Sequence, residues 1–303
     1  MTVFAILALA LLLDALFGEP RWLWQRIPHP AILMGRAIEL GDQWLNRGAT
    51  RQFNGVALML LLVLAALGLG LLFQTFGAWA EIILAAILLA HRSLIDHVAA
   101  VADALRLSLG DGRHSVAMIV GRDTSHMTSA GVSRAAIESA AENFSDGVIA
   151  PAFWFLVGGL PGLFIYKITN TADSMIGYRT PRHEAFGWAA ARFDDLLNLI
   201  PARLTAALLA LVFGLLNAWR DIQADARLHR SPNAGWPEAA MARGLGVSLA
   251  GPRSYGGELC DFPFVHAHGR KNANPADIDA ACRALWMAWG LTFLCVSTLA
   301  LFV

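Results

Sequence analysis

The chain has 303 residues, 56% of them hydrophobic and 15% charged, whereas an average globular domain carries about 25% charged residues. Its 23 Lys and Arg balance its 23 Asp and Glu for a formal net charge of zero, which leaves no basic field for nucleic acid and no acidic tail. The shortage of charge points to a lipid bilayer as the surrounding medium, and no nucleic-acid partner is expected.

The N-terminal run MTVFAILALALLLDALFGEP is apolar but lacks the basic start and small-residue cleavage site of a signal peptide, and Asp14 interrupts its end. It reads as a retained membrane segment over residues 2–17. From Val56 to Phe73 no residue is charged, and at about 1.5 Å per residue that run approaches the roughly 30 Å hydrocarbon thickness. EIILAAILLAHRSLIDHV resumes the apolar pattern after QTFGAW, so residues 56–95 predict a helical hairpin with its turn near Gly77. Residues 151–166, PAFWFLVGGLPGLFIY, carry Pro151, Gly158, Gly159, Pro161 and Gly162, which interrupt a regular helix. Broken backbone at membrane depth is tolerated only inside protein or along a cavity, so this segment is a candidate re-entrant or discontinuous element beside a site. Residues 204–219 and 284–303 are further membrane candidates, the latter with aromatic residues near its start, as in an interfacial belt.

The expected fold is therefore all-α, a polytopic helical membrane protein with about 4 to 6 membrane segments, one of them re-entrant. Polar stretches at about 18–55, 96–150, 167–203 and 220–283 are expected to be helical as well. No low-complexity linker divides the chain, which predicts a single integral membrane domain over 1–303. Every polar stretch holds several Arg or Lys, so the positive-inside rule would place all four in the cytoplasm, which simple alternation of spans forbids. The three cysteines are far apart and read as ordinary buried thiols.

Three polar clusters stand out in this apolar background. In AIESAAENFSDGVIAP, Glu138 and Glu142 share one helical face with Arg134 four residues before. Asp146 extends that face only if the helix runs on, and Ser145 and Gly147 favour a break. In YKITNTADSMIGYR, Lys167, Asn170 and Ser174 share a face, with Asp173 beside them. In ARFDDLLNLIPARLT, Asp194 and Asp195 are adjacent, Asn198 lies on the same turn, and Arg192 and Arg203 flank them. The bland alternative for the first cluster is a solvated helix face, where like charges at i, i+4 cost only about 0.2 to 0.5 kcal/mol. Against it stands the recurrence of carboxylate, amide and base in all three. Oxygen ligands of this kind suit Mg²⁺, which takes one or two carboxylates and leaves its other positions to water and phosphate. Carboxylates near membranes also serve ion transport, which keeps a transporter in view. No P-loop, zinc spacing or GxSxG elbow occurs. His29, between two prolines, reads as a rigid turn or a substrate contact. SPNAGWPEAAMARGLG reads as a turn, Ser231 to Gly235, followed by a helix start with Pro237 and Glu238 in the first turn.

The chain resembles the cobinamide-phosphate synthase family of cobalamin biosynthesis, the CobD/CbiB membrane proteins. The likeness rests on DALFGEP, HPAILMGR, GRDTSHM at 121–127, RAAIESAAENFSDGVIAPAFWF, GGLPGLFIYKITNTADSMIGYR, FGWAAARFDDLLNLIPARLTA and SPNAGWPEAAMARGLGVSLAGPRSYGG, extending from about residue 14 to 257. The resemblance implies a multi-pass protein of the bacterial inner membrane that joins the propionate f of adenosylcobyric acid to (R)-1-amino-2-propanol or its O-phosphate, consuming ATP with Mg²⁺. The active site is expected to face the cytoplasm. Homo-oligomers and contacts with other late cobalamin-pathway enzymes are also expected.

Within that chemistry, Glu138, Glu142, Asp146 and Asp173 are expected to hold Mg²⁺. Lys167 and Arg179 are expected to stabilise the transferring phosphoryl group, and Asp194 or Asp195 to accept a proton from the attacking ammonium. His29, Arg122, Asn143, Asn170, Asn198, Arg203 and Asn233 are the candidate substrate-binding residues. The rival readings are a corrinoid or ion transporter, and a non-catalytic membrane scaffold.

Overall fold

The computed structural model describes residues 1–255 and 258–302, with the backbone alone at positions 21, 254, 255, 258 and 259. Helices dominate. Among the described residues, Arg51–Gln74, Ala78–Leu107, Ser129–Ile176 and Pro275–Phe302 are long and apolar enough to cross a membrane. Trp188–Leu197 and Leu199–Val212, bent by 46° at their junction, add a fifth span if counted as one. The protein is a polytopic helical membrane protein. Its first helix, Val3–Phe17, is shorter than these spans and begins where Thr2 Oγ1 accepts from the Ala5 amide at 3.2 Å.

The expected hairpin turn falls at Gly77, whose φ of 83° lies in the region that glycine enters without a Cβ penalty. Its second arm is less regular than the apolar run suggested: Ala78–Leu88 ends in extended backbone at Leu89, and a new helix, His91–Leu107, follows. The 204–219 segment is cut short at Val212 by a turn through Gly214. Residues 151–166 lie within the helix Ala150–Ile176, whose break is confined to Gly158 and Gly159. Pro151 lies just after the π-helical turn Ser145–Ile149 and keeps helical backbone. Among the cysteines, Cys282 is buried but Cys295 is exposed on its apolar helix, so the expectation of buried thiols fails there.

The 220–283 stretch is not wholly helical. Leu249–Ala250 pairs antiparallel with Phe264–Val265, and Arg253–Tyr255 with Glu258–Cys260. The sequence around them, SLAGPRSYGG, is poor in helix formers, and Ala250 and Gly251 have positive φ.

The described residues gather into two compact units whose sequences interleave. The first comprises Met1–Ala90, Ala150–Asn198 and Phe293–Val303; the second comprises His91–Ile149 and Leu199–Thr292. An interleaved division of this kind leaves no linker for composition to reveal, which is why the sequence reads as one domain.

In the first unit, Arg51–Gln74 packs along Ala150–Ile176. A Cβ at Gly70 would lie 2.5 Å from Pro161 Cα and 2.6 Å from its nitrogen. Backbone cannot yield as a side-chain tip can, so Gly70→Ala is expected to cost about 1–3 kcal/mol as overpacking. Thermal unfolding of the purified protein in detergent should show this as a lowered midpoint, while Gly68→Ala, with nothing within 4 Å of the added carbon, should not.

In the second unit, Ser129–Phe144 is the central element, with ten of its 16 residues buried. Ser133, Ala135, Ala136, Ser139, Ala140 and Ala141 keep it slim enough for His91–Leu107, Leu109–Ala117 and Gly235–Leu245 to close on it. It runs directly into a π-helical turn, Ser145–Ile149. That wider turn is the break foreseen at Ser145 and Gly147, and it shifts Asp146 off the i, i+4 register of Glu138 and Glu142.

Candidate functional site

In the second unit, a cleft of about 250 Å³ opens beside the N-terminal half of Ser129–Phe144. Thr128 caps that helix, its Oγ1 accepting from the Gly131 amide at 3.1 Å. One side of the cleft is the 121–128 loop, with Arg122, Asp123 and His126; another is the turn at Ala250, Pro252 and Arg253; Arg134 and Glu138 rise from the helix between them. Asp123 is held in its ionised form, its carboxyl below the usual range because it accepts from the Ser125 hydroxyl and amide.

Glu138 organises this cleft. Only 3% of it is exposed, and its Oε2 accepts from Arg122 Nη2 at 2.5 Å and pairs with Arg253 Nη2 at 3.3 Å. Its Oε1 accepts from the Ala250 amide at 2.8 Å. One buried carboxylate thus fixes two guanidinium groups and a strained turn, in which Ala250 has a φ of 56°. Arg134, one helical turn earlier, donates to the Lys271 carbonyl at 2.8 Å and leans on the Phe264 ring.

A second acid lies deeper. Glu238, on Gly235–Leu245, is 2% exposed, and its Oε2 has no hydrogen-bond partner among the described residues. Burial, reinforced by the charges of Glu138 and Glu142, pushes its carboxyl well above the ordinary value. His229 Nε2 lies 3.8 Å from Glu238 Oε1, and His229 Nδ1 accepts from the Ser231 amide at 3.0 Å, which assigns the ring proton to Nε2. Burial holds this imidazole below its usual range. Asn233 Oδ1 accepts from Arg203 Nη1 at 2.8 Å, and Arg203 stacks on Trp236. Asn143 turns back to its own helix, donating to Ser139 O and Oγ at 2.8 and 3.1 Å.

The first unit has its own polar constellation. Asp194, 8% exposed, accepts from Asn198 Nδ2 at 3.0 Å and Asn170 Nδ2 at 3.3 Å. Tyr166 donates to Asn198 Oδ1 at 3.0 Å. Asp173 and Asp195 lie within electrostatic reach of this group, and Arg179 and Arg192 of Asp195. Lys167 lies within electrostatic reach of His29. His29 caps Pro30–Leu45, its Nδ1 accepting from the Ala31 amide at 3.1 Å while its Nε2 meets the Ile87 carbonyl at 3.2 Å. Burial lowers its proton affinity. Both ring nitrogens are therefore used within the protein. A separate clamp joins Asp42 to Arg182 at 2.5 Å and to Asn46 at 2.8 Å.

The expected residues are thus sorted between the units. Arg122, Glu138, Glu142, Asn143, Asp146, Arg203 and Asn233 belong to the second; His29, Lys167, Asn170, Asp173, Arg179, Asp194, Asp195 and Asn198 belong to the first. Among the described residues no group of three or more His, Cys, Asp or Glu is gathered so as to hold a metal ion. Of the residues expected to hold Mg²⁺, Glu138 is held by two arginines, Asp146 lies in the π-turn, and Asp173 belongs to the first unit. Sequence reasoning passed over Arg253, Glu238 and His229. Glu238 was readable only as helix-start chemistry, since nothing in its spacing reveals that the helix end is buried.

The sequence profile of the CobD/Cbib protein family matches residues 7–285. The chain belongs to that family. It is 52% identical to a Brucella anthropi protein named "Cobalamin biosynthesis protein CobD" over 305 residues, covering 94% of this chain and 93% of the relative. Proteins of the same name from Rhizobium meliloti and Rhodobacter capsulatus are 49% and 45% identical, covering 94% and 90% of this chain and 93% and 90% of theirs. No solved structure matches. The family match spans the blocks that carry the cleft, among them GRDTSHM, RAAIESAAENFSDG and SLAGPRSYGG.

Proposed function

We propose that this family member acts in cobalamin biosynthesis as an adenosylcobinamide or adenosylcobinamide-phosphate synthase. It forms the amide between the propionate f carboxylate of adenosylcobyric acid and (R)-1-amino-2-propanol or its O-phosphate. The observation that carries this reading is the near full-length likeness to proteins named for cobalamin biosynthesis. A carboxylate does not react with an ammonium ion unless it is activated. In the proposed sequence the propionate oxygen attacks the γ-phosphorus of ATP, releasing ADP and leaving an acyl phosphate. The amine nitrogen then attacks the acyl carbon, phosphate departs, and the nitrogen's protons pass to a base and to solvent.

Asp194, fixed by two amide donors, is the base this reading assigns, with Asp195 beside it; Lys167 and Arg179 are assigned to the phosphoryl charge. Among the carboxylates expected to hold Mg²⁺, Glu138 is already engaged by Arg122 and Arg253 and does not fit that task. The proposed location is the bacterial inner membrane, with the active site facing the cytoplasm.

Deletion of the gene tests the assignment. Growth that needs the vitamin should be restored by cobinamide and not by cobyric acid. Rescue by both, or by neither, would favour the transporter or scaffold readings instead.

A further inference from the structure

We infer that the cleft of the second unit is a binding site for one oxyanion group of a substrate, a carboxylate or a single phosphate ester. The inference names the ligand class of a site within the proposed synthase, and so its role in turnover rests on that reading; its ability to bind an anion does not.

Four observations support it. The lining brings Arg122, Arg134 and Arg253 together against two carboxylates, Asp123 and Glu138. One positive charge is thus in excess, and the amide end of Ser129–Phe144 adds to it. That balance suits a singly or doubly charged group rather than a bare triphosphate. Glu138 explains why the arginines stand in the cleft instead of extending into water: it holds Arg122 and Arg253, whose side chains are only 11% and 12% exposed. Arg122, held through Nη2, keeps other N–H groups for a second, forked partner, the geometry that carboxylate and phosphate oxygens match.

Size makes the same distinction. Pockets that enclose whole drug-sized ligands hold about 300–1,000 Å³, and this cleft holds about 250 Å³. It takes one end of a ligand, not a corrin ring or an entire nucleotide. Finally, the site is built before any ligand arrives, because the ion pairs, the Ala250 amide and the Thr128 cap fix each wall, which lowers the ordering cost of binding.

Binding of inorganic phosphate to the full-length protein in nanodiscs, followed by ³¹P line broadening at constant ionic strength, tests the site. Wild type should show saturable binding. Arg134→Gln, which leaves Glu138 with both of its arginines, should raise the half-saturation concentration about tenfold, the loss of one charge-assisted contact of about 1.4 kcal/mol. Asp221→Asn, at an exposed carboxylate outside the cleft lining, should leave it unchanged. Adenosylcobyric acid displacing phosphate would assign the site to the propionate, and aminopropanol O-phosphate displacing it would assign the site to that ester. An absence of saturation, a wild-type midpoint in Arg134→Gln, or displacement by ATP alone would overturn the inference. Because the readout needs no turnover, its failure is distinct from failure of the synthase reading, which the feeding experiment measures.

Discussion

Glu138→Ala is expected to lower the stability of the second unit by about 3–5 kcal/mol, the usual cost of removing one partner from a buried ion pair. Two guanidinium groups and the Ala250 amide lose their common acceptor, and the two arginines are then left facing each other without a counter-charge. Thermal unfolding in detergent and the abundance of the protein in membranes are the measurements. Glu138→Gln keeps the shape and the amide contact but not the charge, and should fall between Ala and wild type. If Glu138 were instead a metal ligand, Ala would spare the fold and excess Mg²⁺ would recover function. A normal unfolding midpoint in Glu138→Ala would therefore refute the positioning role assigned here.

Glu238→Gln is expected to change how stability depends on pH. The folded-state carboxyl titrates well above its ordinary value near 4.5 because it is buried and faces the charges of Glu138 and Glu142. A raised carboxyl binds its proton more tightly folded than unfolded, so its stabilisation is complete below about pH 4.5 and is lost as pH rises toward the folded value. Each unit of upward shift corresponds to about 1.4 kcal/mol. His229 acts oppositely: its lowered proton affinity costs stability as pH falls below about 6.5, its ordinary value. Comparing unfolding midpoints of Glu238→Gln and wild type from pH 5 to 9 isolates the carboxyl, because His229 is common to both. The difference should move in favour of the Gln variant as pH rises. A difference that stays flat would show that Glu238 ionises normally.

The opening clusters show how far residue patterns reach. The i, i+4 spacing of Arg134, Glu138 and Glu142 correctly placed them on one helix, and Ser145 with Gly147 correctly marked the end of its regular register. The same pattern suggested a row of metal ligands, but it could not show the contacts that Glu138 makes, because one partner lies 112 residues away at Ala250 and the second arginine comes from position 253. Local spacing carries no information about contacts at that separation. Likewise, Asp194, Asn170 and Asn198 were recognised as polar groups of interest, but their mutual hydrogen bonds depend on the packing of Ala150–Ile176 against Trp188–Leu197.

By itself, the sequence determined the membrane class, the long uncharged spans, the hairpin turn near Gly77, an interruption within residues 151–166, and, through its ordered motif blocks, the family. These depend on hydrophobicity summed over one helix or on a single residue's φ preference, both of which are local quantities. The tertiary structure alone decided the interleaved division into two units, the short strands around Arg253, the burial of Glu238 and the pairing of Glu138 with Arg122 and Arg253. Each of those is set by which surfaces exclude water together. Burial turns the same carboxylate from a solvated charge into the fixed centre of an ion cluster at Glu138, and into a proton-bearing acid at Glu238.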